Sequence, residues 1–135
     1  MVKITGEYSG ELHCTAVHAP SGTALATDAP KDNQGRGESF SPTDLVATAL
    51  ATCAVTTLAI VARRHGLELG KVKYEVTKEM TSEAPRRIAR LTLQLWLPPE
   101  AKTLPPDVVT RALERCPVHL SLAPEVVKDI ELHWL

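Results

Sequence analysis

From Leu45 to Ala62 the chain runs for 18 residues without a charged side chain, and nothing else in its 135 residues limits the fold so strongly. Signals at both ends make this run a single helix. Ser41 is a good N-cap, Pro42 suits the first helical position, and Asp44 stands where a capping box places its carboxylate. Gly66 is a natural C′ residue, and Arg63, Arg64 and His65 put cations in the last turn. Residues 42–65 therefore predict a helix of roughly 36 Å, at about 1.5 Å per residue. That length touches the threshold for a membrane span. Threonines 48, 52, 56 and 57 and the many alanines make the run only weakly hydrophobic, however, and the remainder is ordinary soluble sequence. The expectation is burial within a protein or a dimer, with no membrane partner.

A chain of this length fits one domain, 1–135. One Phe, two Trp and two Tyr leave most of the core volume to Leu, Val, Ile and Ala, and such a small core invites oligomerisation. The net charge is -1, and no basic cluster exceeds Arg63-Arg64 or Arg86-Arg87, which argues against a nucleic-acid partner. The N-terminal residues read as a strand and not as an export segment. Cysteines 14, 53 and 116 are odd in number and widely spaced. That is a poor disulfide framework and points to a reducing, cytoplasmic compartment. With no Cys-x-x-Cys, a structural zinc site is not expected.

The remaining elements give an α+β chain. Short strands are predicted for the first residues to Tyr8, for Leu12 to Ala19 and near Thr23 to Thr27, followed by a polar loop over 28–40. Residues 71–81 alternate with Val72, Tyr74 and Val76 on one face. Residues 87–97 alternate with Leu91, Leu93, Leu95 and Leu97 opposite Arg90, Thr92, Gln94 and Trp96. Glu83-Ala84-Pro85-Arg86 turns the chain between them, which makes a hairpin. A second helix is predicted from Pro105 to Cys116, where Pro117 breaks it or restarts it at a new angle. Val126 to Trp134 reads as a final strand.

The candidate chemistry is thiol chemistry. Cys53 lies in the uncharged helix, where a buried inert cysteine is one reading. The surrounding threonines and a second thiol in a distinctive context support another. Cys116 is followed by proline at a predicted helix break, which suits either a structural thiol or a resolving one, since thiol redox chemistry needs an attacking and a resolving partner. Cys14 reads as a strand-face residue without a role. A cation is needed to make a thiolate. Arg36, Arg111 and Arg115 are candidates, and Arg36, the first arginine in the chain, is the only upstream one. Neither a phosphate-binding glycine loop nor a Gly-x-Ser-x-Gly elbow is present.

The segment Ser41-Pro42-Thr43-Asp44-Leu45-Val46-Ala47-Thr48-Ala49-Leu50-Ala51-Thr52-Cys53 resembles the Ser-Pro-x-Glu-Leu-Leu-x-x-Ala-Leu-Ala-x-Cys segment of the OsmC/Ohr superfamily, and Arg115-Cys116-Pro117-Val118 resembles its second Cys-Pro motif. The order of elements matches as well, so the resemblance covers nearly the whole chain. It implies an intertwined homodimer with antiparallel sheets wrapped around long central helices and two sites at the subunit interface. It also implies reduction of organic hydroperoxides, with Cys53 as the peroxidatic thiol and Cys116 as the resolving thiol. A dithiol reductant, a lipoyl-protein in the better-studied branches, would restore both thiols, and no metal, flavin or haem cofactor is implied.

The chain departs from that pattern at the charge partners. Thr43 stands where the peroxidase branches place a glutamate, and Asp44 comes one residue later, a rotation of about 100° on a helix. The cap is the role expected for Asp44. The activating arginine of one branch has no counterpart in its usual region, which leaves Arg36 as the substitute. The resemblance therefore also admits a non-catalytic OsmC-like protein that holds a small apolar ligand.

Overall fold

The computed structural model describes residues 1–135 as two compact units, Met1–Val46 and Ala47–Leu135. The first unit is an antiparallel sheet in the order β1 (Ile4–Tyr8), β2 (His13–His18), β3 (Ala24–Asp28). Gly10 and Gly22, both with positive φ, shape its two turns. The loop after β3 contains one short 3-10 turn, Lys31–Asn33. All of β1 is exposed, and the buried side chains of this unit are the polar Asp28 and Ser41. A sheet without an apolar core of its own gains little from the hydrophobic effect.

The long helix α1 (Pro42–Arg64) begins in the first unit and continues through the second. Its ends form as the sequence predicts. The Ser41 amide donates to Asp44 Oδ2 at 2.8 Å, and the Asp44 amide donates to Ser41 Oγ at 3.1 Å, a complete capping box. At the other end Gly66 has φ 75°, its amide donates to Arg63 O, and the Leu67 amide donates to Ala62 O, which is a Schellman motif. The buried positions Ala47, Leu50, Ala51, Ala54, Leu58 and Ala62 share one face. By length and composition α1 could cross a membrane, with a mean hydropathy of 2.2 over 18 residues, yet a third of that stretch is buried within the chain itself.

The second unit holds the predicted hairpin, β4 (Lys73–Met80) and β5 (Ile88–Leu97), joined through residues 81–87. Leu91, Leu93, Leu95 and Leu97 of β5 have no exposed surface, whereas the residues between them are partly exposed, as the alternation predicts. Each fully buried leucine contributes about 1.5–3 kcal/mol. On β4 the predicted face is only partly covered: Tyr74 is 45 % exposed, because β4 is an edge strand.

Two expectations need correcting. The last strand, β6 (Val127–Trp134), pairs with β5 in parallel, Arg90 opposite Val127 and Leu97 opposite Trp134, so this sheet is mixed and not antiparallel. The reason lies in the connection, since residues 98–126 carry a 3-10 turn and two helices and form the crossover that a parallel pair requires. Nor does the second helix reach Cys116. It spans Pro106–Glu114 (α2), and a separate short helix, α3 (Pro117–Ser121), follows. Pro117 excludes the helical conformation from the residue before it, and Cys116 is extended, with ψ 146°.

Candidate functional site

Two segments meet at the thiols. Cys53 lies on a flank of α1, partly exposed, beside the buried face. Cys116 is the N-cap of α3, and its Sγ accepts the His119 amide at 3.4 Å. Cys116 has no exposed surface, and Cys53 lies near enough to act on its thiol. All three cysteines are free thiols. Burial pushes the Cys116 thiol up from its ordinary pKa. The His119 and Val118 amides act the other way, and Cys53 adds to the rise. The site is therefore an unequal pair, a buried thiol near a partly exposed one.

Two threonines near Cys53 bond back onto α1. Thr52 Oγ1 donates to Thr48 O at 2.9 Å, and Thr56 Oγ1 donates to Thr52 O. Their hydroxyls turn back onto the helix. Thr43, where the resemblance implies a carboxylate, has its Oγ1 3.1 Å from Ser41 Oγ within the cap. Asp44 is engaged in that cap, the role its position predicted.

Of the three residues singled out from sequence, the structure brings Cys53 and Cys116 together. Arg36 belongs to the Met1–Val46 unit, and its charge acts there on Asp28. Asp28, nearly fully buried, pairs with His13 Nδ1 at 2.6 Å and accepts the Glu38 amide at 3.1 Å. The hydrogen bond with His13 is the first cause that holds its carboxyl below the ordinary range; Arg36 is the least. Cys14 is an exposed member of β2, beside His13.

Two further features lie on α3 and between α1 and α2. His119 of α3 is half-buried, and burial, with the Lys128 charge, lowers its pKa against the pull of Glu114. A groove of about 410 Å³ runs between α1 and α2, lined by Thr57, Val61, His65, Val108, Arg111, Ala112 and Arg115. The four-residue spacing of Cys53, Thr57 and Val61 signals a shared flank of α1, and Arg115 adjoins Cys116, so the groove could have been anticipated once α1 and α2 were known to be neighbours. A cavity of about 450 Å³ at the hairpin turn contains neither thiol. No group of side chains suited to a metal ion is present.

The family model for OsmC-like proteins matches residues 35–131. Among solved structures, a Psychrobacter arcticus protein assigned to osmotic stress induction and the detoxification response is 34 % identical, with a TM-score of 0.87, over 98 % of this chain and 96 % of that one. The OsmC-like protein of Mycoplasma pneumoniae is 18 % identical with a TM-score of 0.81, over 100 % of this chain and 97 % of that one. An organic hydroperoxide resistance protein of Vibrio cholerae, with captopril bound in one active site, is 18 % identical with a TM-score of 0.78, over 98 % and 90 %. No curated protein matches the chain by sequence.

Proposed function

The chain belongs to the OsmC-like protein family, and on that premise we propose that it is a thiol peroxidase that reduces organic hydroperoxides. The observation that carries the reading is the neighbouring pair of free thiols, Cys53 partly exposed and Cys116 buried. The Cys53 thiolate attacks the terminal peroxide oxygen, the O–O bond breaks, and the alkoxide leaves to be protonated to the alcohol. Cys53 is then a sulfenic acid. Cys116 attacks that sulfur, water departs, and a Cys53–Cys116 disulfide forms. An external dithiol returns two electrons and two protons and regenerates both thiols. No cofactor enters this cycle. The hydroperoxide resistance protein of Vibrio cholerae, alike in fold, supports the choice of substrate class.

The cation that assists Cys53 is assigned to Arg36 in this reading, in its role as the one upstream arginine. Two exposed surfaces support a homodimer in this reading. The first unit has no apolar core, and the outer face of α1 presents Thr52, Thr56 and Ile60, with both threonine hydroxyls turned inward. A second copy would cover such faces. Three free thiols suit a reducing cytoplasm.

The engagement of Asp44 in the cap, with Thr43 beside it, favours a second reading, a ligand-binding protein without turnover. One experiment separates the two. Reduced wild type, mixed with cumene hydroperoxide and a dithiol, should consume peroxide in many turnovers, and Cys53→Ser should not. Equal, slow consumption by both proteins leaves only the ligand-binding reading.

A further inference from the structure

The groove between α1 and α2 combines apolar side chains with positive charge. Val61, Val108 and Ala112 supply the floor, and Arg111 and Arg115 stand at its wall. No carboxylate lines it. Arg111 already pairs with Asp107 at 2.8 Å. Arg115 is different: it sits at the C-cap of α2, is exposed, and its guanidinium makes no hydrogen bond or ion pair. A C-cap arginine often answers the helix carbonyls, yet only the Arg115 backbone amide is engaged there, with Arg111 O. His65 donates Nδ1–H to Val61 O at 3.0 Å, which leaves Nε2 without a proton in the neutral ring. A volume of about 410 Å³ falls within the range of small-molecule sites, roughly 300–1,000 Å³.

We propose that this groove is a binding site for a carboxylate-headed apolar chain, with the carboxylate on the Arg115 guanidinium and the chain along Val61, Val108 and Ala112. A planar carboxylate fits the two-pronged guanidinium, and the floor excludes water from the chain. Thr57 lies one turn of α1 beyond Cys53, and Arg115 directly precedes Cys116, so an occupant would end beside the thiol pair. Binding here requires no thiol chemistry and stands or falls apart from the peroxidase reading.

The test uses decanoate and decanol with full-length Cys53→Ser protein, followed by calorimetry and by chemical-shift changes at Val61 and Ala112. Decanoate should bind once per chain, decanol much more weakly, and added salt should loosen decanoate. Arg115→Gln, a change at an exposed position, should weaken decanoate roughly ten- to a hundredfold while leaving decanol and the melting temperature unchanged. Arg111→Gln should have a smaller effect. Equal binding of decanoate and decanol would overturn the proposal, as would an Arg115→Gln variant that binds normally. Absence of binding, together with dissociation of an oligomer on Arg115→Gln, would assign the groove to a second copy of the chain and overturn it too.

Discussion

The Cys116 sulfur accepts the His119 amide at 3.4 Å and so caps the helix that begins at Pro117. The same atom is the resolving thiol of the proposed cycle. Removal of the cap without replacement should cost about 0.5–2 kcal/mol. Cys116→Ala should show that loss in urea unfolding of the reduced protein. Cys116→Ser keeps a capping oxygen and should unfold closer to wild type. If the two variants are equally destabilised, the cap contributes nothing. With peroxide, Cys116→Ser should stop after one equivalent and yield a sulfenate that a dimedone probe traps.

The capping box at the head of α1 offers a coupled test. Ser41→Ala and Asp44→Ala each remove one of two reciprocal hydrogen bonds and should each destabilise by about 1 kcal/mol. The double variant should lose less than the sum, since each bond positions the other. Strict additivity in thermal unfolding would show that the two bonds act independently.

Stability should also respond to pH through His119. Its pKa is lowered in the folded chain, first by burial and then by Lys128. The unfolded chain therefore binds this proton more readily, and stability rises with pH across the interval between the folded and the ordinary value. The contribution is fully present above the ordinary value of 6.5 and is lost as the pH falls below it. His119→Gln should flatten the slope of unfolding free energy below pH 6.5. An unchanged slope would mean that His119 ionises alike in both states.

Gly35 tests the loop that carries Arg36. A Cβ at this position would lie 1.7 Å from the Ala29 carbonyl oxygen, so backbone must shift to admit alanine. Gly35→Ala should destabilise by about 1–3 kcal/mol. The Asp28 pKa, followed by NMR, should also move toward the ordinary range, because Arg36 and the Glu38 amide both act on that carboxylate. Alanine accepted with no change in either quantity would contradict the close approach.

Much of this was legible along the chain because the signals are local. Ser41, Asp44 and Gly66 define α1 through bonds that span only a few residues. The leucines of β5 announce their face through a period of two. What could not be read depends on partners distant in sequence. Parallel pairing of β6 leaves no mark in its own residues; it is set by which neighbour the crossover delivers. The extent of α2 was misjudged by two residues because Pro117 governs the conformation of Cys116 before it. The two thiols were visible as candidates, but their proximity was not, nor was the groove that joins Thr57 to Arg115 across two helices.

The parallel pairing of β5 and β6 also orders events during biosynthesis. Cys116 lies in the crossover between those strands, and the crossover is anchored at both ends only when residues 127–134 dock beside β5. A ribosome extends the chain from its N-terminus, so Cys53 emerges long before that strand does. Cys53 thus waits, during synthesis, for a partner thiol whose position is fixed only when the last strand of the sheet arrives.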